Sequence, residues 1–327
     1  MNVGEIKDQY RRASGDLFEP YLCNDDEILI HLNEATDEAA KRSFLLKTSD
    51  MSVGETQASG TLTISGSTGS ISSIIIDGKN IITNPVSYTG NDSVTAQILA
   101  AEINSTYLFE AKAVSNVVTI KPLAGSGAYF NNAYPIITQS PEIATPTIIS
   151  GGIDGICRTT FFPNKKEYKF SQRILKFENF FIGEMTKQPY LRNYRFLSEH
   201  ELAAYSKAGN VDSIIYGMSN DSFIVGSIPN KKGFIQATVY YKPLHKLVKN
   251  TDIPEIPEEF HSKLIDYILH KVYLKNDAEI EGIELSNKHL AIFEKEFNDS
   301  LFTSAFQQKN DLGYFFGDST TLNSYNW

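Results

Sequence analysis

The chain has 327 residues, 41% of them hydrophobic and 21% charged, which is enough apolar material for more than one core and incompatible with wholesale disorder. A formal net charge of −9 excludes a protein that grips nucleic acid over a broad basic face, but not a channel that lets nucleic acid pass. No apolar run is long enough for a membrane-spanning helix, and the opening MNVGEIKDQYRR is charged with no apolar h-region, so neither a membrane span nor a secretory signal is expected.

Val3, Ile6 and Tyr10 predict a short first helix. Asn24 then stands as an N-cap, and Asp25, Asp26 and Glu27 load the following turn with negative charge, which suits a helix dipole. Ile28, Leu32, Ala35 and Ala39 continue as a helical apolar stripe, with Asp37, Glu38, Lys41 and Arg42 off it.

From 53 to 153 the composition changes. This stretch holds only nine charged side chains, against 30 Lys and Arg and 39 Asp and Glu in the whole chain, yet ten of the 21 glycines, so it is a different kind of sequence from its flanks. It is rich in Ser, Thr, Ile and Val, the composition of strands and tight turns. Strands are predicted at 61–65 and 72–76, and a helix near 93–104 capped by Asp92 or Ser93, with Val94, Ile98 and Ile103 inward. Two further strands follow at 107–113 and 117–122, with Ser115-Asn116 as the turn and Tyr107, Phe109, Ala111 and Ala113 on the inner face. Gly54 opens the stretch and Gly151-Gly152 close it, the flexible edges an inserted domain needs.

Residues 155–245 read as mainly β, with a short helix at 198–202 whose Ser198 and Glu201 form a capping box. Strands are expected at 213–217, 222–226 and 234–241, the last two joined by a hairpin-like turn at 229–233. Beyond Pro254 and Pro257 the pattern is helical: Phe260, Leu264, Ile268 and Val272 form one ridge. After a break at Asn276-Asp277, a second helix from near Ala278 carries Ile283, Leu290, Phe293, Phe297 and Leu301, and its short connection favours an antiparallel pair. Past Phe306 the periodicity stops; 307–327 is polar but holds Tyr314, Phe315, Phe316, Tyr325 and Trp327, the only tryptophan.

The expected fold class is α+β: a discontinuous helical-bundle core with a β-sheet portion, 1–52 plus 154–306, carrying a small β-rich α+β domain inserted at 53–153, then a tail at 307–327. The sequence offers no catalytic signature. The six histidines show neither HxxxH nor HExxH spacing, and His261 and His270 read as surface or core-edge residues on different helix faces. Gly125-Ser126-Gly127 lacks the following Lys of a phosphate loop and reads as a turn, and the acidic run Asp277, Glu279, Glu281, Glu284 lacks the ligand spacing of a calcium loop. Cys23 and Cys157 form no CxxC and are expected reduced. No enzyme, cofactor or metal is therefore expected.

Several segments carry a resemblance. MNVGEIKDQYRR with NDDEILIHLNEATDEAAKR at 24–42 resembles the opening of tailed-phage head-to-tail adaptor proteins, in which a short helix precedes a D-x-x-I-x-x-x-L-N-x-A helix. ATVYYKP at 237–243 resembles the final strand of that family, IPEIPEEFHSKLIDY at 253–267 its I-P-x-x-F-x-x-x-L-x-x-Y approach to the next helix, and DAEI at 277–280 its acidic junction. These matches cover roughly 1–50 and 195–305, and the stretch 53–153 departs from the minimal pattern.

The resemblance implies a structural virion protein of a bacteriophage, assembled in the host cytoplasm. Such adaptors form a homo-oligomeric ring, usually a dodecamer, below the portal at the head–tail connection. Their helices line the channel through which genomic DNA passes without sequence-specific contact, and the tail docks on the portal. Tyr314, Phe315, Phe316, Tyr325 and Trp327 are the expected portal anchors, the plainer alternative being an end whose aromatics have no docking role. The next neck or tail protein is the other expected partner. Two alternative roles stay open: a lower neck, tail-tube or tail-hub ring protein, or a receptor- or fibre-anchoring protein acting through 53–153, where Tyr88, Tyr107, Tyr129 and Tyr134 are candidates to stack on sugars.

Overall fold

The structure is a computed structural model that describes residues 1–163, 165, 167–169, 171–183, 192–197, 214–219, 222–225, 232–275 and 280–297. It contains both helices and sheets, an α+β protein, and divides into two compact units. One comprises Met1–Thr48, Ser171–Glu178 and Val239–Trp327; the other comprises Ser49–Phe170 and Asn179–Thr238.

The first unit is built on helices. α1 (Val3–Ser14) and α2 (Asp25–Ser43) each begin with a capping box, Asn2 with Glu5 and Asn24 with Glu27, so the first free N–H groups of both helices are satisfied locally. Val3, Ile6 and Tyr10 of α1 and Ile28, Leu32, Ala35 and Ala39 of α2 are fully buried, as their spacing predicts. A 3-10 turn at Glu258–Lys263 feeds α4 (Leu264–Lys275), which is followed by α5 (Ile280–Glu296); α3 belongs to the other unit. α4 is the central element and packs on α1, α2 and α5, burying Leu264, Ile265, Ile268, Leu269 and Val272.

Against α4, α5 presents Phe293, with Phe297 just beyond its end. Ring centroids lie 5.0 Å apart for Tyr267–Phe293, 4.6 Å for Phe293–Phe297 and 5.5 Å for Phe260–Phe297. The predicted stripe of α5 is corrected at Ile283, which is 55% exposed, while Ser286 is fully buried in its place. The reason is the partner: Ser286 Oγ meets His270 Nδ1 at 2.8 Å and donates to the His270 carbonyl at 3.0 Å, fixing which face of α5 turns inward. Leu301 and the break at 276–277 lie outside the described residues. A two-residue strand, β1 (Lys47–Thr48), pairs antiparallel with Tyr240 and Val239 at the end of β16 (Gly233–Tyr241).

In the second unit, residues 58–149 enclose a hydrophobic core of their own. One antiparallel sheet has the order β6 (Phe109–Val114), β7 (Val117–Pro122), β2 (Gly60–Ile64), β9 (Ala144–Pro146). The β6–β7 turn is Ser115-Asn116, as predicted. A second sheet is centred on β3 (Ser70–Ile76), which pairs with β4 (Lys79–Asn80), β5 (Val86–Ser87) and β8 (Ile136–Ser140). The predicted helix is α3 (Asp92–Ser105), but its cap is Asn91, whose side chain accepts from Ser93 N and Val94 N at 2.9 and 3.1 Å. Its inward face is also corrected. Thr95, Ala96, Leu99, Ala100 and Ile103 are buried, whereas Val94 and Ile98 are exposed, because the small Ala96 and Ala100 let the helix lie close against the strands.

The ends of the 53–153 stretch run side by side, with bridges Thr56–Ile153 and Ser59–Ser150. Gly152 is there for space rather than for flexibility: a Cβ on it would lie 2.3 Å from the Gly127 carbonyl oxygen and 2.9 Å from Ala58 Cβ.

The remaining strands, wholly or partly in this unit, pair in order of neighbours rather than of sequence. β10 (Arg158–Phe161) pairs with Gly233–Gln236 of β16. β12 (Ile174–Gly183) pairs antiparallel with β13 (Arg192–Leu197) through Phe180–Ile182, and β13 pairs parallel with β14 (Ile214–Ser219). β14 pairs with β15 (Ser222–Val225), whose other edge takes β11 (Glu167–Lys169). The expected hairpin between 222–226 and 234–241 is therefore not formed: both edges of β15 are occupied, by β14 and β11. A parallel pair needs a crossover connection, and the helix predicted at 198–202 falls on that connection, outside the described residues.

Candidate interaction surfaces

The first unit carries an apolar loop between α1 and α2. Gly15 ends α1 in the left-handed conformation, and the loop that follows exposes Leu17, Phe18, Tyr21 and Leu22, Phe18 at 83%. The base of this loop is tied down. The Asp16 carboxylate accepts from Leu22 N at 2.9 Å, Cys23 N at 3.3 Å and Arg11 Nη1 at 3.3 Å. The Arg11 guanidinium lies 3.5 Å from the centre of the Tyr21 ring. Arg11 also binds Asp25, and with Lys7 it holds the Asp25 carboxyl below the usual carboxylate range. Apolar side chains held out on an anchored loop form a contact surface. The pattern LFEPYL at 17–22, apolar but without helical period, is the sequence signal for it.

Charged side chains off the apolar stripe of α2 are engaged within the same unit. Asp37 accepts from Arg173 Nη1 at 2.9 and 2.8 Å, and Arg42 reaches both Glu38 at 2.8 Å and Glu294 at 3.1 Å. Lys271–Glu34 and Lys263–Glu296 pair at 3.3 and 3.0 Å.

The second unit carries a cleft of about 110 Å³ lined by Ile76, Asp77, Lys79, Tyr107, Phe109, Tyr129 and Phe130 among others. Of the four candidate tyrosines, Tyr129 is buried in its wall, edge-on to Phe130 at 5.0 Å. Tyr88 donates to Asp92 at 2.8 Å, and Tyr134 is exposed. Tyr107 corrects the expectation of an inward-facing strand residue: it precedes β6, has φ of 54°, and is 83% exposed. It occupies the position just after the cap residue Thr106 of α3, where a left-handed backbone closes the helix and period-two alternation does not apply.

Behind the cleft wall lies a buried charge cluster that sequence patterns do not signal. Arg158 is 3% exposed. Its Nε is 3.8 Å from Asp154 Oδ1, its guanidinium carbon 4.6 Å from the Phe234 ring centre, and its Nε and Nη2 take no hydrogen bond among the described residues. Burial pushes its pKa below the ordinary arginine value. Asp154 accepts from Ala128 N at 2.9 Å and from Thr160 N and Oγ1 at 2.7 Å each. The Gly125-Ser126-Gly127 turn is an anion-binding nest filled by the chain itself: Gly125 N and Gly127 N donate to the Glu55 carboxylate at 2.6 and 3.0 Å.

His261 and His270 are corrected from surface or core-edge to buried. His261 Nε2 is 2.8 Å from the Ile256 carbonyl, and burial depresses the His270 pKa. Cys23 and Cys157 are free and buried, and burial pushes each thiol up to about 11. Among the described residues no group of three or more His, Cys, Asp or Glu is placed to hold a metal ion, and no helix is long and apolar enough to cross a membrane. The predicted anchors Tyr314, Phe315, Phe316, Tyr325 and Trp327, and Asp277 and Glu279 of the acidic run, lie outside the described residues.

Residues 167–314 match the family model of the SU10 adaptor protein. The match takes in β11 through α5 and supports a phage adaptor-type structural protein. The resemblance read at 195–305 falls inside the matched range, and that read at 1–50 falls outside it. No curated protein matches the chain.

Proposed function

We propose that the chain is a structural virion protein that forms a ring below the portal, joins capsid to tail and lines the DNA channel. The observation that carries this reading is the adaptor-family match over 167–314, which includes the helix pair α4–α5 and reaches into the tail. The helical core made by α1, α2, α4 and α5 serves as the adaptor body, 1–52 with 154–306, and 53–153 is an inserted domain. Two separate hydrophobic clusters, one at 58–149 and one drawn from 3–46 and 247–297, support that organisation. The net charge of −9 suits a lumen past which DNA slides, since phosphate neutralisation would hold it. The apolar loop at Leu17–Leu22 supports a protein partner for the helical unit, and 307–327 docks on the portal through Tyr314, Phe315, Phe316, Tyr325 and Trp327.

The test is native mass and negative-stain imaging of the purified protein, alone and mixed with the portal ring of the same virus. A ring that forms on the portal and is lost on deletion of 307–327 is the expected result. No association with the portal would refute this reading and favour a lower neck or tail position.

A further inference from the structure

We propose that copies of this chain join head to tail, with Phe18 of one copy seated in the apolar cleft beside Tyr107 of the next. The inference rests on the oligomeric part of the reading above and names its contact surfaces; it does not depend on a portal.

The first observation is an apolar projection on a fixed base. Phe18 is 83% exposed and is the only exposed phenylalanine among the described residues. Leu17, Tyr21 and Leu22 beside it are exposed as well, so the four side chains present a patch on the order of 400 Å². Asp16 ties Leu22 N and Cys23 N to Arg11 of α1, so the loop is held at both ends. An apolar side chain on an already ordered loop loses little conformational freedom when it docks. The patch falls short of the roughly 800 Å² per partner of a standard stable interface, so one such contact is weak and many in series are needed.

The second observation is a receptor for it in the 58–149 domain. The cleft there has a volume of about 110 Å³ and is lined by Ile76, Leu108, Phe109, Leu123 and Phe130 among others. An apolar cavity of about 150 Å³ holds benzene, so this open cleft suits one phenyl group and little more. Its charged members are already engaged. The Asp77 carboxylate favours the protonated form of Lys232, and Lys79 has a partner of its own. The cleft therefore asks no charge of its occupant, and an apolar side chain fits it better than an ion. Tyr107 stands at this cleft with φ of 54° and 83% exposure, so packing within the fold does not offset its backbone conformation. A phenyl group seated beside it would cover that side chain.

Projection and receptor are different surfaces of one chain, so the contact is heterologous: each copy gives one and takes one. Repetition closes a ring where the rotation allows it and extends a filament where it does not.

The experiment is sedimentation equilibrium of the full chain at concentrations up to about 1 mM. The parent should associate with a dissociation constant on the order of 0.1 mM and grow beyond dimers. Phe18→Ser, at an exposed site, should melt like the parent and associate at least about tenfold more weakly. Leu123→Trp fills the cleft, and Tyr107→Glu sets a charge at its mouth as a second blocked receptor; both should weaken association as much. Mixing Phe18→Ser, whose cleft is intact, with either blocked variant, whose loop is intact, should restore one contact and give dimers that grow no further. A parent that stays monomeric at about 1 mM, a Phe18→Ser protein that associates like the parent, or mixtures that stay monomeric would overturn the proposal; the last result would assign the cleft to the loop of its own chain or to another partner. If Phe18→Ser still forms rings on the portal as the parent does, this contact is overturned while the proposed function stands. Head-to-tail association without portal binding would do the reverse.

Discussion

Replacing Asp154 by alanine removes the acceptor of two backbone donors, Ala128 N and Thr160 N, and of the Thr160 hydroxyl, at 2.7–2.9 Å. It also removes the charge facing a guanidinium whose side chain is fully buried. The Asp154 side chain is itself 21% exposed, so water relieves part of the loss. Two orphaned N–H groups at about 1 kcal/mol each, with about 1 kcal/mol more for the uncompensated arginine, give roughly 3 kcal/mol. Glu55 keeps the last term from being larger, since its charge also favours protonated Arg158. Arg158→Leu is expected to cost less, about 1 kcal/mol, because Nε and Nη2 already lack hydrogen bonds and leucine removes a desolvation penalty along with the contact to Phe234. The double variant should then be less destabilised than the sum of the two singles by about 1 kcal/mol. Differential scanning calorimetry of the full chain and the three variants reads this. Strict additivity, or Arg158→Leu as damaging as Asp154→Ala, would refute the view that Asp154 compensates a buried charge.

Other outcomes follow from the same geometry. Gly152→Ala should cost several kcal/mol, since its Cβ would lie 2.3 Å from the Gly127 carbonyl oxygen and backbone must move; a melting temperature equal to the parent's would show that the contact relaxes freely. Asn24→Ala removes the acceptor of Glu27 N at 2.8 Å and should lower stability by about 1 kcal/mol in chemical unfolding, while Asn24→Ser should restore most of it. His270 is depressed below its ordinary value of 6.5, chiefly by burial, so the unfolded chain binds its proton first as pH falls. The helical unit should therefore lose stability as pH drops below about 6.5, and His270→Gln should flatten that slope; a slope unchanged by the substitution would assign the effect to other groups.

The sites divide by how they announce themselves. Asn24 followed by three acids is a local statement, and the N-cap it predicts is made within four residues of chain, there as a capping box with Glu27. The stripes Val3–Ile6–Tyr10 and Ile28–Leu32–Ala35–Ala39 are equally legible, because a helix with one long apolar face has one way to bury it. The helix α3 was legible as a helix but not in its facing. Ala96, Leu99, Ala100 and Ile103 share one helical stripe that turns inward, and Val94 and Ile98 fall off it. Tyr107 was misread for a related reason: alternation continued one residue too far, across a helix end whose φ reverses the direction of the side chain.

What the residues determined by themselves is the cap that starts α2, the apolar stripes of α1 and α2, which stretch is compositionally distinct, and the absence of familiar catalytic or metal-binding motifs. Those are properties of neighbours along the chain, set by capping, periodicity and composition. Tertiary structure alone decided that β15 is flanked by β14 and β11 instead of folding back on β16, that Gly152 must be a glycine, and that Arg158 and Asp154 meet behind a cleft. Each depends on which distant segment supplies the opposing atoms. Strand pairing, steric clearance and buried charge are set by partners far away in sequence, and only the folded chain brings them within a few ångströms.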